Sequence, residues 1–159
     1  MDVTAEMVAG CEAPQLFAWL EDLSSYPRWL DIVPRAVPAE LHEDDTGPAW
    51  TVDLRGQLGP LSRVKRLRMV RTVHQPHERV RFERMEHDGR DHSLWMLTAD
   101  VTVPDDAPPG SSLLTMTMHY GGFLGGPVME KLLLDEIERS RPRLYELTAS
   151  GATPPAPPG

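Results

Sequence analysis

Val80-Arg81-Phe82-Glu83-Arg84-Met85-Glu86, the turn Asp88-Gly89-Arg90-Asp91, and Ser93-Leu94-Trp95-Met96-Leu97-Thr98-Ala99-Asp100-Val101 form the stretch on which the fold turns. Asp-Gly supplies the positive φ that a tight turn needs, and both flanks alternate, so the stretch predicts an antiparallel hairpin. With Asp88 to Asp91 as the loop, Phe82 faces Leu97, Val80 faces Ala99 and Arg84 faces Trp95. The other face sets Arg79 against Asp100 and Arg81 against Thr98, which suits solvent. The same register leaves Arg84 and Glu86 on the apolar face, beside Trp95 and Ser93. Charges there are costly unless paired or wet, which makes that face a candidate cavity wall.

Working outward, Asp2 to Ala9 alternates weakly and predicts a first strand. Ala13-Pro14 opens a helix of about three turns, with Leu16, Phe17, Trp19, Leu20 and Leu23 at helical spacing. Ser24-Ser25 interrupts it, Tyr26 to Val33 predicts a second short helix, and Pro34 ends that one. From Arg35 to Tyr120 the pattern is that of strands: Ala36 to His42, Trp50 to Leu58, Leu61 to Val73, the hairpin, and Leu114 to Tyr120. Gly121-Gly122 and Gly125-Gly126-Pro127 lead into a long helix from Val128 to Leu147. Met129, Leu133, Ile137, Leu144 and Leu147 share one of its faces, and Pro142 predicts a kink or break near Glu138 to Arg141. Residues 150–159, rich in proline, predict a disordered tail after a single domain spanning 1–149.

The 159 residues, 40% of them hydrophobic, suffice for one domain with a real core. A formal net charge of -8 argues against nucleic acid and anionic membranes as main partners. Arg63, Lys65, Arg66, Arg68 and Arg71 run against that average. On a strand they split between two faces, either pairing with residues such as Asp53 and Glu83 or pointing Arg66 or Arg68 inward toward an acidic ligand group. Cys11 is the one cysteine, so no intramolecular disulfide forms, and a soluble cytoplasmic protein is the expectation. No apolar run approaches membrane-spanning length. The acid beside Cys11 disfavours a thiolate nucleophile.

Strand, two short helices, a run of antiparallel strands and one long amphipathic helix give an α+β order in which the helix covers the apolar face of the sheet. Phe17-Ala18-Trp19-Leu20-Glu21-Asp22-Leu23, Tyr26-Pro27-Arg28-Trp29-Leu30 and the closing Gly121-Gly122-to-helix segment carry a resemblance. Over about Met1 to Ala149 the chain resembles the helix-grip fold of the START-related superfamily (SRPBCC), which includes polyketide cyclase/dehydrase-like proteins. The resemblance implies a curved antiparallel sheet of about seven strands wrapped on the C-terminal helix, with a pocket between them. The inward positions implied are Trp50, Val52, Leu54, Phe82, Arg84, Glu86, Trp95, Leu97, Met116, Met118 and Tyr120, with Met129, Leu133 and Ile137 from the helix. Such walls suit a small hydrophobic or aromatic ligand, lipid or polyketide-like, although each apolar side chain also serves as plain core.

Three classes of function follow from this reading. The first is a binder of that ligand. The second is a cyclase/aromatase-like enzyme for aldol cyclisation and dehydration, in which Arg84 stacks on Trp95 and orients, Glu86 exchanges protons and Tyr120 donates to an oxyanion. The third is an interaction module whose pocket has closed. His87, Asp88, Asp91 and His92 crowd the turn, but an exposed turn outside the pocket is a poor metal cage. No cofactor is implied, since the glycine run lacks the Lys-Ser/Thr of a phosphate loop and the chain has no Gly-x-Ser-x-Gly. Monomer and homodimer are equally compatible with the sequence.

Overall fold

The computed structural model describes residues 2–55, 64–121 and 127–155, the last stretch without the side chains of 127–129. Strand β1, Asp2–Ala9, alternates strictly and sends Val3, Ala5, Met7 and Ala9 inward. Helix α1, Ala13–Ala18, starts where Glu12 N donates to Gln15 Oε1 at 3.2 Å, with Pro14 in the first turn. It is shorter than its apolar spacing predicts. It ends at Ala18, with Trp19 N donating to Leu16 O at 2.9 Å, and Asp22 then takes Ser24 N at 2.8 Å and opens a 3₁₀ turn, Leu23–Arg28, that absorbs Ser24 and Ser25.

Six more strands follow: β2 Arg35–Pro38, β3 Ala49–Arg55, β4 Val64–Gln75, β5 Arg79–Arg84, β6 Trp95–Thr102 and β7 Ser112–Tyr120. All pair antiparallel in one sheet of order β1-β7-β6-β5-β4-β3-β2, so the first strand closes onto the last. Gln57, Leu58 and Leu61, expected in strands, lie outside the described residues. The hairpin register is the one the alternation predicts: Val80 pairs with Ala99, Phe82 with Leu97 and Arg79 with Asp100. Its solvent face carries Arg79 Nε on Asp100 at 2.5 Å and Arg81 Nε on Thr98 Oγ1 at 3.1 Å.

Helix α2, Pro127–Ala149, lies on the inner face with Leu133, Ile137 and Leu144 buried. Of the kink or break expected near Glu138 to Arg141, no break occurs: the helix is continuous through Pro142. The proline ring removes one backbone donor, while Ile137 and Leu144 anchor the helix in the core on either side. Ser140 Oγ donates to Glu136 O at 3.0 Å and accepts from Asp31 N at 3.4 Å, tying the helix to the chain after the 3₁₀ turn. At its C-terminal end Thr148 Oγ1 accepts from Gly10 N at 3.0 Å. A Cβ on Gly10 would sit 2.8 Å from that of Ala149, so only glycine allows this approach. Beyond the helix, Ala152 packs on the core and Thr153 O accepts from Arg28 Nη1 at 3.5 Å.

Arg68 fastens three segments. Its Nη2 meets Asp45 Oδ2 at 2.7 Å and Glu40 O at 2.6 Å, while Nη1 meets Asp45 Oδ1 at 2.9 Å and Met85 O at 3.3 Å. Asp45 also accepts from His42 N at 2.7 Å, and its side chain is 2% exposed. The β2–β3 connection, β4 and the start of the β5–β6 connection are thereby held together. Arg66 pairs with Asp53 at 2.8 Å on the outer face. Neither arginine points inward, because the strand's parity assigns both to the side opposite Leu67 and Met69.

Gly10→Ala is expected to cost about 1–3 kcal/mol in urea unfolding, through overpacking against Ala149. An unchanged midpoint would show that β1 and α2 can move apart. The Arg68 guanidinium beside Asp45 holds its carboxyl well below the usual carboxylate range. A depressed folded-state pKa means stabilisation that is complete above the unfolded value near about pH 4 and fades as pH falls toward the folded one. Wild-type stability should therefore drop more steeply below about pH 4 than that of Asp45→Asn. Parallel curves would remove Asp45 from the acid transition.

Candidate ligand-binding site

The interior under the sheet is filled unevenly. Near α1, aromatic rings close it: Phe82 packs edge-on against Tyr26 at 6.1 Å and Trp50 at 5.5 Å, and Tyr26 lies 5.0 Å from Trp29. Tyr26 Oη donates to Leu20 O at 2.9 Å, and burial pushes the phenol's pKa far up, so it stays a neutral donor. Trp50 Nε1 donates to Asp22 Oδ1 at 3.0 Å, so one carboxylate both caps the 3₁₀ turn and pins β3. Phe82 is thus core here rather than cavity wall, and Trp50 borders the open hollow beside α1 rather than the cavity under the sheet. Met116, Leu133 and Ile137 are likewise buried in the continuous core, at 1%, 4% and 1% exposure.

Toward the end where β3, β5 and β7 finish, packing loosens into an apolar cavity of about 30 Å³. Leu54, Trp95, Leu97 and Met118, all expected at a pocket, line it with Val52, Leu67, Met69, Leu23, Leu30 and Val33. Tyr120 meets Trp95 at a tilt, with ring centres 4.6 Å apart. Trp95 is 8% exposed, yet its Nε1 has no hydrogen-bond partner among the described residues. The expected position of Met129 on this wall lies outside the described side chains.

Arg84 and Glu86 stand beside this cavity, not in it. The ladder ends at Glu83–Met96, and Met85 to Leu94 leaves the sheet as a longer connection than the tight turn expected. Gly89 does adopt a positive φ of 72°, with Arg90 N on Asp88 Oδ1 at 3.0 Å. Arg84 does not stack on Trp95. Its Nε meets Glu86 Oε1 at 3.0 Å, Nη1 reaches Ser93 at 3.4 Å and Nη2 lies 3.2 Å from His92 Nδ1. Glu86 Oε1 also accepts from Arg68 N at 3.0 Å. These demands draw the connection out of the sheet. An open cleft of about 360 Å³ results, which Arg84 and Glu86 share with His87, Arg90, Asp91 and His92. The turn expected to lie apart from the pair therefore adjoins it. His87 stacks on His42 at 3.8 Å, and His92 Nε2 lies 2.8 Å from Asp88 Oδ2.

The cation over Trp95 is Lys65, which the sequence reading passed over for Arg66 and Arg68. Its Nζ lies 5.7 Å from the ring centres of both Trp95 and Tyr120. It continues the inward parity of Leu67 and Met69, and that parity was the available signal for it. Burial first, then the charge of Arg84, push its pKa down.

A larger hollow of about 650 Å³ opens between the end of α1 and the β2–β3 connection. It is an open trough whose charged groups are engaged: Asp22 as above, Arg71 Nη1 on Glu21 O at 3.0 Å and Asp45 on Arg68. Its size alone does not make it the better site. No helix among the described residues is long and apolar enough to cross a membrane.

Residues 1–147 match the family described as polyketide cyclase / dehydrase and lipid transport. Among curated proteins none matches by sequence. A START superfamily protein from Mycobacterium smegmatis superposes with a TM-score of 0.70 at 14% identity, over 95% of this chain and 99% of that one. A protein from Thermus thermophilus does so at 0.70 and 15%, over 96% and 100%. The major latex-like protein 151 of Panax ginseng gives 0.64 and 10%, over 93% and 97%. At such identities the likeness is one of fold. With its seven-stranded sheet closed on a C-terminal helix, the chain has the START-like helix-grip fold and belongs to the polyketide cyclase / dehydrase and lipid transport family.

Proposed function

We propose that this protein binds a small hydrophobic or aromatic molecule, lipid or polyketide-like, between the sheet and the C-terminal helix. The observation that carries the reading is Trp95: a large ring on an apolar cavity, nine-tenths buried, with an indole N–H left without an acceptor among the described residues. An unsatisfied buried donor costs about 1–3 kcal/mol, which a ligand bearing a carbonyl or hydroxyl would recover. The family description, with its lipid transport, supports the same reading. A cavity of about 30 Å³ holds no such ligand as it stands. Met69 and Met118 on its wall are unbranched and adaptable, and their rotation is the way in.

The smallness of that cavity favours a second reading, an interaction module with a closed pocket. Acid–base catalysis of the cyclase kind has less support. Glu86 Oε1 is engaged by Arg84 and by the Arg68 amide, which suits an anchor for Arg84 better than a group that trades protons.

Native mass spectrometry of the freshly purified chain, followed by solvent extraction, should show a retained small molecule. A ligand-free spectrum, with no binding of added hydrophobic probes such as 1-naphthol, would favour the closed module. Trp95→Ala should weaken probe binding about tenfold or more, and Met85→Ala far less, since only Trp95 faces inward. The reverse order would place the site on the other face. Glu86→Gln should leave probe affinity within about twofold, because the amide oxygen still accepts. Formation of a cyclised product from a synthetic poly-β-ketone by the wild type, lost in Glu86→Gln, would instead establish the enzyme.

A further inference from the structure

We infer that the ligand's polar end is an anion, a carboxylate on an apolar body, and that Lys65 is the residue that holds it. The inference rests on the binding reading above and names the chemical class of what is bound.

Four observations converge on it. Lys65 is exposed at the start of β4, but its inward parity carries the ammonium to 5.7 Å from the ring centres of both Tyr120 and Trp95, the latter a wall of the apolar cavity. It has no carboxylate partner among the described residues, whereas the neighbouring Arg84 has Glu86 at 3.0 Å. The segments 56–63 and 122–126, which join β3 to β4 and β7 to α2, contain no Asp or Glu, so neither can supply a counter-charge. Trp95 Nε1 offers a second donor without an acceptor among the described residues.

The physical consequence is a surplus of positive charge and of donors around one apolar space, in a chain whose net charge is -8. Lys65 is already partly desolvated and repelled by Arg84, as the lowering of its pKa reflects. Cation–π contact with two rings offsets only part of that cost, about 1 kcal/mol for a site open to water. An entering anion pairs with that cation and offsets the repulsion from Arg84 at the same time. A neutral ligand of the same shape gains the apolar contacts alone. One lysine, with no second unpaired cation beside it among the described residues, matches a monoanion such as a carboxylate.

Isothermal titration of the full chain with acid and neutral pairs tests this: 1-naphthoate against 1-naphthamide, and dodecanoate against dodecan-1-ol. The two pairs separate an aromatic acid from an aliphatic one. The wild type should prefer the acid of at least one pair by about tenfold. Lys65→Met, which keeps the apolar stem, should abolish that preference through loss of affinity for the acid, and Lys65→Arg should retain it. Equal binding of acid and neutral partners by the wild type, or a preference that survives in Lys65→Met, overturns the assignment and leaves the pocket reading standing. Failure of all four probes to bind removes both.

Discussion

The inner face of the sheet is apolar almost throughout, and among the described residues it is kept from water by the 23-residue α2, the short α1 and the 3₁₀ turn. That constraint organises everything else. Where α2 and the 3₁₀ turn lie on the sheet, side chains interlock to near-zero exposure, from Met7 and Leu114 to Phe82 and Ile137. Where β3, β5 and β7 finish, packing gives way to an apolar void walled by Leu54, Trp95, Leu97 and Met118, with Lys65 and Tyr120 against Trp95 and the Arg84–Glu86 pair on a separate open cleft. A gradient from solid core to looser rim lets one interior hold both a folded scaffold and a cavity.

The aromatic cluster keeps the two ends distinct. Tyr26, Trp29, Trp50 and Phe82 meet edge-to-face or tilted, a geometry that suits their quadrupoles. Asp22 fixes two of the contributing elements through Ser24 N and Trp50 Nε1. With that end rigid, adjustment is left to the methionines near Trp95. Arg68 does the equivalent work outside, holding the β2–β3 connection against the start of the β5–β6 connection. That end of the sheet is therefore fastened by a charge network on the face away from the apolar cavity.

Much of this was legible in the chain. Strand period alone set the register of β5 on β6, because a one-residue slip would turn Phe82, Leu97 and Ala99 to water. Leu54, Trp95, Leu97 and Met118 were placed on the cavity by the same parity. Other features escaped it. The 3₁₀ turn after α1 depends on Asp22, whose hold on Ser24 N is a local hydrogen bond that apolar spacing does not report. Arg84 was expected on Trp95, but guanidinium geometry is decided by the acceptors around it, and Glu86, Ser93 and His92 come together only once the connection has folded back. Lys65 was hidden in a basic run in which every member looked alike.

What the sequence determined by itself is the period-two and period-3.6 patterning, and hence the elements, their faces and the need to close a sheet on a helix. Those follow from backbone geometry and from keeping apolar surface dry, which are local rules repeated along the chain. Only the tertiary structure decided which inward residues fill the core and which border a void, because that depends on how side chains distant in sequence share a volume. It also decided which charges are paired. Glu86 is claimed by Arg84 and by the Arg68 amide, and Lys65 is left facing two aromatic rings: outcomes of distance and desolvation that no one-dimensional pattern encodes.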